Sequence, residues 1–167
     1  MNPKPIYLLS APVRTGKTTA LQNWADGNQG ITGVLTPVVE NRRLFLDLAS
    51  GVRFDMEAAA EEQDVLSVGR FRFSKAAFAK AIHILNQPPS GNEWRVIDEI
   101  GPLELQGEGF GPGLRKLLDD YDTNRMRLIL VIRDTLLEKV CAHFRFDKFE
   151  MRIMGTTELP EISHGKY

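Results

Sequence analysis

Short apolar runs rich in isoleucine, valine and leucine alternate along this chain with longer segments whose apolar residues recur at helical spacing. The short runs lie at 6–10, 31–36, 95–99, 128–132 and 149–154. Most are apolar at both odd and even positions, which predicts parallel strands covered by helices on both faces. Between them, Leu114, Leu117, Leu118 and Tyr121 fall at i, i+3, i+4, i+7, and Leu137, Val140, Cys141 and Phe144 repeat that spacing. Each set predicts one core-facing helical stripe. Thr135 and Glu138 have capping-box spacing at the start of the second stripe. Ser74 is placed to cap a further helix carrying Phe78, Ile82 and Leu85, closed by the Gln-Pro-Pro-Ser-Gly-Asn string at 87–92.

Residues 37–73 break this rhythm. Leu44, Leu46 and Leu48 alternate with Phe45, Asp47 and Ala49, and Gly51 and Gly69 punctuate further short runs, which predicts an antiparallel insertion. The expected fold class is therefore α/β, a mainly parallel sheet flanked by helices with an antiparallel insertion. With no repeat, biased tract or linker in 167 residues, one domain spanning 1–167 is expected.

Composition mostly excludes. At 43% hydrophobic residues the chain can bury a real core. Lys plus Arg (21) nearly cancels Asp plus Glu (22), so no overall attraction to nucleic acid or anionic membrane is built in, and neither is an expected partner. The longest uninterrupted apolar run, 128–132, falls far short of the roughly 20 residues that span a bilayer. Pro3, Pro5 and Pro12 bracket the first apolar stretch, and no export signal is visible. The single cysteine, Cys141, lies in a helical stripe and reads as a buried structural thiol, with the cytoplasm as the expected compartment.

The strongest chemical signal is Ala11-Pro12-Val13-Arg14-Thr15-Gly16-Lys17-Thr18-Thr19, set between the first strand and a helical segment carrying Leu21 and Trp24. This is the order of a phosphate-binding loop. Backbone N–H groups curl around phosphate oxygens, Gly16 permits close approach, Lys17 reaches the β and γ oxygens, and Thr18 ligates Mg²⁺. The helix N-terminus adds unpaired donors and partial positive charge. Ala11 stands where the pattern has glycine, and its methyl is benign provided that its φ is negative. The second signal is Asp98-Glu99, ending the apolar run at 95–99 just before Gly101-Pro102. Open parallel sheets bind ligands at the carboxyl ends of their strands, so Asp98 is placed to hold Mg²⁺ as a Walker B acid and Glu99 to act as general base toward water. Alternation along a strand sends the two side chains apart unless the strand ends there.

Weaker candidates are Arg133, at the end of a core run, as a γ-phosphate sensor, and Arg14, Arg42 and Arg43 as sources of positive charge or as solvated side chains. His83 and His143 lack a ligand partner at i+3 or i+4, and Trp24 and Trp94 read as core aromatics.

Together, the strings at 10–19 and 96–105 (VIDEIGPLEL) resemble the nucleoside-triphosphatase family that includes the cancer-related nucleoside-triphosphatases, whose acidic region reads close to DEIGKMEL. ITGVLTP at 31–37 is similar to that family's second strand, 43–47 to its Arg-rich hairpin and 128–132 to a later core strand. The resemblance implies a RecA-like P-loop fold and slow, base-tolerant hydrolysis of triphosphates such as ATP or GTP with Mg²⁺. It also makes Glu104 the counterpart of a second Walker B glutamate, orienting water or supporting the ligands around the ion. Three departures stand out. Ala11, Val13 and Arg14 replace small or glycine positions of the loop; Val38 and Glu40 stand where the family has a Glu and an Arg; and the 155–159 string Gly-Thr-Thr-Glu-Leu replaces an Asn-Arg-Asp-like segment, so its base contacts do not carry over. The expected function is Mg²⁺-dependent hydrolysis to diphosphate and phosphate. A nucleotide-binding regulatory module with little turnover and a small-molecule kinase are the alternatives.

Overall fold

The computed structural model describes residues 4–91, 93–122 and 126–159. In chain order they form β1 (Ile6–Ala11), α1 (Lys17–Asp26), β2 (Ile31–Leu35), β3 (Val38–Val39), β4 (Arg42–Asp47), β5 (Arg53–Asp55), β6 (Val65–Val68) and β7 (Phe71–Ser74). Then follow α2 (Lys75–Leu85), β8 (Trp94–Ile100), α3 (Pro102–Leu105), α4 (Gly111–Asp119), β9 (Arg127–Arg133), α5 (Leu137–Phe144) and β10 (Met151–Met154). The main sheet runs β10-β1-β9-β8-β2-β4-β3, with β5 paired to β4. Its first five strands are parallel, and β3, β4 and β5 add antiparallel. The β6–β7 hairpin is a separate antiparallel pair. The expected insertion thus builds the far edge of the sheet.

The two-sided apolar strands divide their side chains between two cores. Ile6, Leu8, Ile97, Leu128, Leu130 and Ile132 pack with the stripes of α2, α4 and α5, whereas Tyr7, Leu9, Val96, Ile129 and Val131 pack with Leu21 and Trp24 of α1. Trp94 meets Tyr7 and Trp24 edge-on in this second core, so both tryptophans are core residues. Among the described residues no helix is long and apolar enough to cross a membrane.

Two devices set the strand that carries the acids. Gly33 of β2 has φ +111, and a Cβ there would lie 2.0 Å from the Val96 carbonyl oxygen, so only glycine lets β2 approach β8. Next to that contact, at the end of β8 away from the acids, the buried Arg95 donates from Nη1 to the carbonyls of Leu85 (2.7 Å) and Gln87 (2.8 Å) and pairs with buried Glu93. This closes carbonyls at the end of α2 that the helix leaves unpaired.

Ser74 caps α2 as expected, accepting from the Ala77 N–H at 3.1 Å. The Thr135–Glu138 capping box does not form. A 3-10 turn at Asp134–Leu136 precedes α5, whose N-cap is Leu136 without a side-chain bond, and the Thr135 N–H instead donates to Asp134 Oδ1. Cys141 is half-buried rather than buried, packed against the core at the edge of its stripe, and burial pushes its thiol up.

Candidate functional site

The carboxyl ends of β1, β2, β8 and β9 meet the loop at 12–16 around a cleft of about 860 Å³. Ala11 closes β1 in strand conformation, and the positive φ values of the loop fall on Arg14 (62°) and Gly16 (80°). The methyl of Ala11 therefore meets no left-handed strain. Ala11→Gly is expected to change triphosphate affinity by less than about tenfold, 1.4 kcal/mol, as read by calorimetric titration. Thr15 Oγ1 donates to the Pro12 carbonyl at 2.8 Å, tying the loop to itself. No side chain caps the start of α1, which leaves its first-turn N–H groups as donors for an anion. Lys17 is buried, and its Nζ donates to the carbonyls of Ala11 (3.0 Å) and Pro12 (2.9 Å), so its ammonium lies across the loop.

Thr18 Oγ1 donates to Asp98 Oδ2 at 2.7 Å, joining the two motifs across 80 residues of sequence. The same carboxylate oxygen accepts from the Thr36 N–H at 3.2 Å, at the end of β2. Burial raises the pKa of Asp98 most, and the neighbouring charge of Glu99 adds to this, while the bonds from Thr18 and Thr36 oppose it. The strand does not end at Glu99. It runs to Ile100, but the β8–β9 register shifts: Asp98 faces Val131 and Ile100 faces Ile132, leaving Glu99 as the extra residue. This irregularity breaks the alternation, and Asp98 and Glu99 both line the cleft. Glu99 is about one-third exposed and pairs through Oε1 with Arg133 Nη2 at 3.4 Å.

A family model described as NTPase matches residues 6–156. The chain belongs to the NTPase family. It is similar in fold to THEP1 from the hyperthermophile Aquifex aeolicus, a crystal structure, with a TM-score of 0.72, 18% identity, and 95% of this chain and 96% of that chain covered. It is likewise similar to the solution structure of a human cancer-related nucleoside triphosphatase, with a TM-score of 0.69, 20% identity and 95% of each chain covered. No curated protein sequence gives a significant match. The fold is thus α/β and RecA-like, a P-loop NTPase sheet with an antiparallel extension.

Glu104 does not line the main cleft. It is buried in α3 behind Glu99, lining an adjoining cavity. Burial pushes its carboxyl up to about 8; backbone hydrogen bonds at Glu104, Gly101 and Phe110 oppose this, and the Glu99 charge reinforces it. In the unfolded chain the group ionises near 4.5, so between about 4.5 and 8 the unfolded state releases a proton that the folded state keeps. The folding advantage of the neutral, buried carboxyl is complete below 4.5 and is lost as pH rises through 8. Glu104→Gln, which cannot ionise, is expected to gain thermal stability over the parent progressively across that window. Above pH 8 the gain levels off at several kcal/mol, at about 1.4 kcal/mol per pH unit. Melting curves of both proteins from pH 4 to 9 check this.

Arg43 and Arg14 line the cleft, whereas the neighbouring Arg42 points elsewhere and pairs with Asp55 at 3.6 Å in an exposed contact. Val38 lines the cleft mouth, and Glu40 sits in the β3–β4 turn at φ 48. His83 meets Gln87, and His143 meets Arg115. Thr36, Arg53, Arg70 and Phe71 are among the lining residues that the sequence did not single out. Thr36 ends a strand at the sheet's carboxyl edge, which is a usable signal. The other three belong to the insertion, and only the folding of that insertion over the sheet edge brings them to the cleft.

Proposed function

We propose that this chain hydrolyses nucleoside triphosphates to the diphosphate and phosphate with Mg²⁺. The observation that carries the reading is the 2.7 Å bond between Thr18 and Asp98, which joins the phosphate-loop sequence to the acidic one beside Glu99. The residues present fit magnesium. Thr18 Oγ1 and Asp98 Oδ2 are hard oxygen ligands on one rim, and Asp98 is buried with little else to balance its charge. Among the described residues, no group of three or more His, Cys, Asp or Glu side chains forms a dedicated cage, in keeping with an ion that shares its shell with phosphate and water. When bound, the ion supplies neutralisation of the β and γ oxygens.

The loop formed by Ala11, Pro12, Val13, Arg14, Thr15, Gly16, Lys17, Thr18 and Thr19 wraps the phosphates. Its amides and the Lys17 ammonium take the β and γ oxygens, and that ammonium exchanges two loop carbonyls for phosphate as substrate enters. Glu99 accepts a proton from the attacking water as its oxygen closes on the γ-phosphorus and the bond to the diphosphate breaks. Arg133, which pairs with Glu99 and lines the cleft, turns toward the γ-phosphate charge. Glu104, protonated at neutral pH in the adjoining cavity, orients the water or supports the ligands around the ion. Phosphate release measured over a panel of triphosphates, with and without Mg²⁺, tests the reading. Mg²⁺-dependent release supports it, and tight binding without turnover replaces it with a nucleotide-dependent binding module.

A further inference from the structure

A second cavity of about 280 Å³ opens beside Glu99, between the β6–β7 hairpin, α3 and the end of β8, and no residue of the phosphate loop lines it. Its floor is aromatic: Phe78 stands edge-on to both Phe110 (5.2 Å between ring centroids) and Phe73 (6.3 Å). Its rim is cationic, formed by Arg43, Arg70 and Arg133. The guanidinium carbons of Arg43 and Arg70 each lie 5.1 Å from the centroid of the same ring, Phe71. The two charges are therefore no more than about 10 Å apart, roughly one Debye length. Among the described residues neither guanidinium has a carboxylate partner; Glu57 meets only the backbone N–H of Arg43. Arg133 reaches Glu99 through Nη2, but its buried Nε has no hydrogen-bond partner. A buried donor left unpaired is costly, and like charges gathered at the mouth of an apolar pocket favour an anion. All three arginines also line the main cleft, whereas the floor of Phe73, Phe78 and Phe110 lines this cavity and not the cleft, so a ligand seated on that floor lies beside the triphosphate rather than in its place.

We propose that this cavity is the binding site of a second small molecule with an aromatic body and a phosphate group, seated with its ring on the phenylalanine floor and its phosphate on the Arg43, Arg70 and Arg133 rim. Arginine suits this task because its planar fork pairs with phosphate through two parallel bonds. The site does not depend on hydrolysis at the neighbouring cleft, and its test reads binding alone. Phenyl phosphate is titrated into ¹⁵N-labelled protein, once free and once holding a non-hydrolysable triphosphate with Mg²⁺. Saturable shifts are expected at amides of residues 68–73 and 101–110 in both states, with at least tenfold weaker binding in Arg70→Gln. Inorganic phosphate should also bind this region at least tenfold more weakly, because it lacks the ring. Arg70 is exposed, so an otherwise unchanged spectrum shows that the variant stays folded. The proposal is overturned by the absence of saturable shifts there up to about 10 mM, a concentration well above millimolar affinity. Equal affinity in Arg70→Gln, equal affinity for inorganic phosphate, or displacement of phenyl phosphate by the triphosphate would each overturn it as well.

Discussion

Glu99→Gln is expected to slow single-turnover phosphate release by about 100- to 10,000-fold, the usual cost of losing a general base, or roughly 3 to 5 kcal/mol of barrier. Triphosphate affinity is expected to survive. Glutamine keeps the size of the side chain and an oxygen that can still accept from Arg133 Nη2, but it cannot take the water's proton. Loss of the ion pair itself contributes little, since both partners are about one-third exposed and such pairs are worth little in water. A variant as fast as the parent would remove Glu99 as the base and move attention to Glu104. That carboxyl holds its proton up to about pH 8, so a reaction relying on it as base would accelerate with pH toward 8. The pH profile of the variant separates the two glutamates.

Lys17→Ala is expected to weaken binding of a non-hydrolysable triphosphate by at least about 100-fold, 2.7 kcal/mol. Its ammonium is already gathered over the loop by the Ala11 and Pro12 carbonyls, so little conformational freedom remains to be lost when phosphate replaces them. Charge-assisted bonds to phosphate are about twice as strong as neutral ones, and the alanine variant forfeits them all. Calorimetric titration gives the affinity, and circular dichroism establishes that the variant is folded. Unchanged affinity would end the phosphate-loop reading and, with it, the proposed hydrolysis.

The features legible in the sequence are those encoded within a few residues of one another. Two-sided apolar runs predicted the parallel strands at 6–10, 31–36, 95–99 and 128–132, and each lies in the sheet within a residue or two of those limits. At 149–154 only Met151–Met154 is strand, because Phe149 and Glu150 belong to the approach from the preceding turn. Ser74 caps as its spacing predicts. The Thr135–Glu138 box failed because the chain leaves β9 through a 3-10 turn, and the helix starts one residue too late for that pair to cap it.

By itself the sequence determined an α/β class, the strand–loop–helix at 6–26, an acidic pair at 98–99 on an apolar strand and an antiparallel insertion after residue 37. These are properties of side-chain periodicity and of local backbone chemistry, which need no distant partner. The tertiary structure alone decided that Thr18 meets Asp98 and that a register shift against β9 turns Glu99 into the cleft with its neighbour. It also decided that Arg43 faces inward while Arg42 faces out, and that Arg70 and Phe71 arrive beside Glu99. Each of these depends on which strands pair, in what register, and where the insertion packs. Those choices are made by burying side chains far apart in sequence, so no window of neighbouring residues contains them.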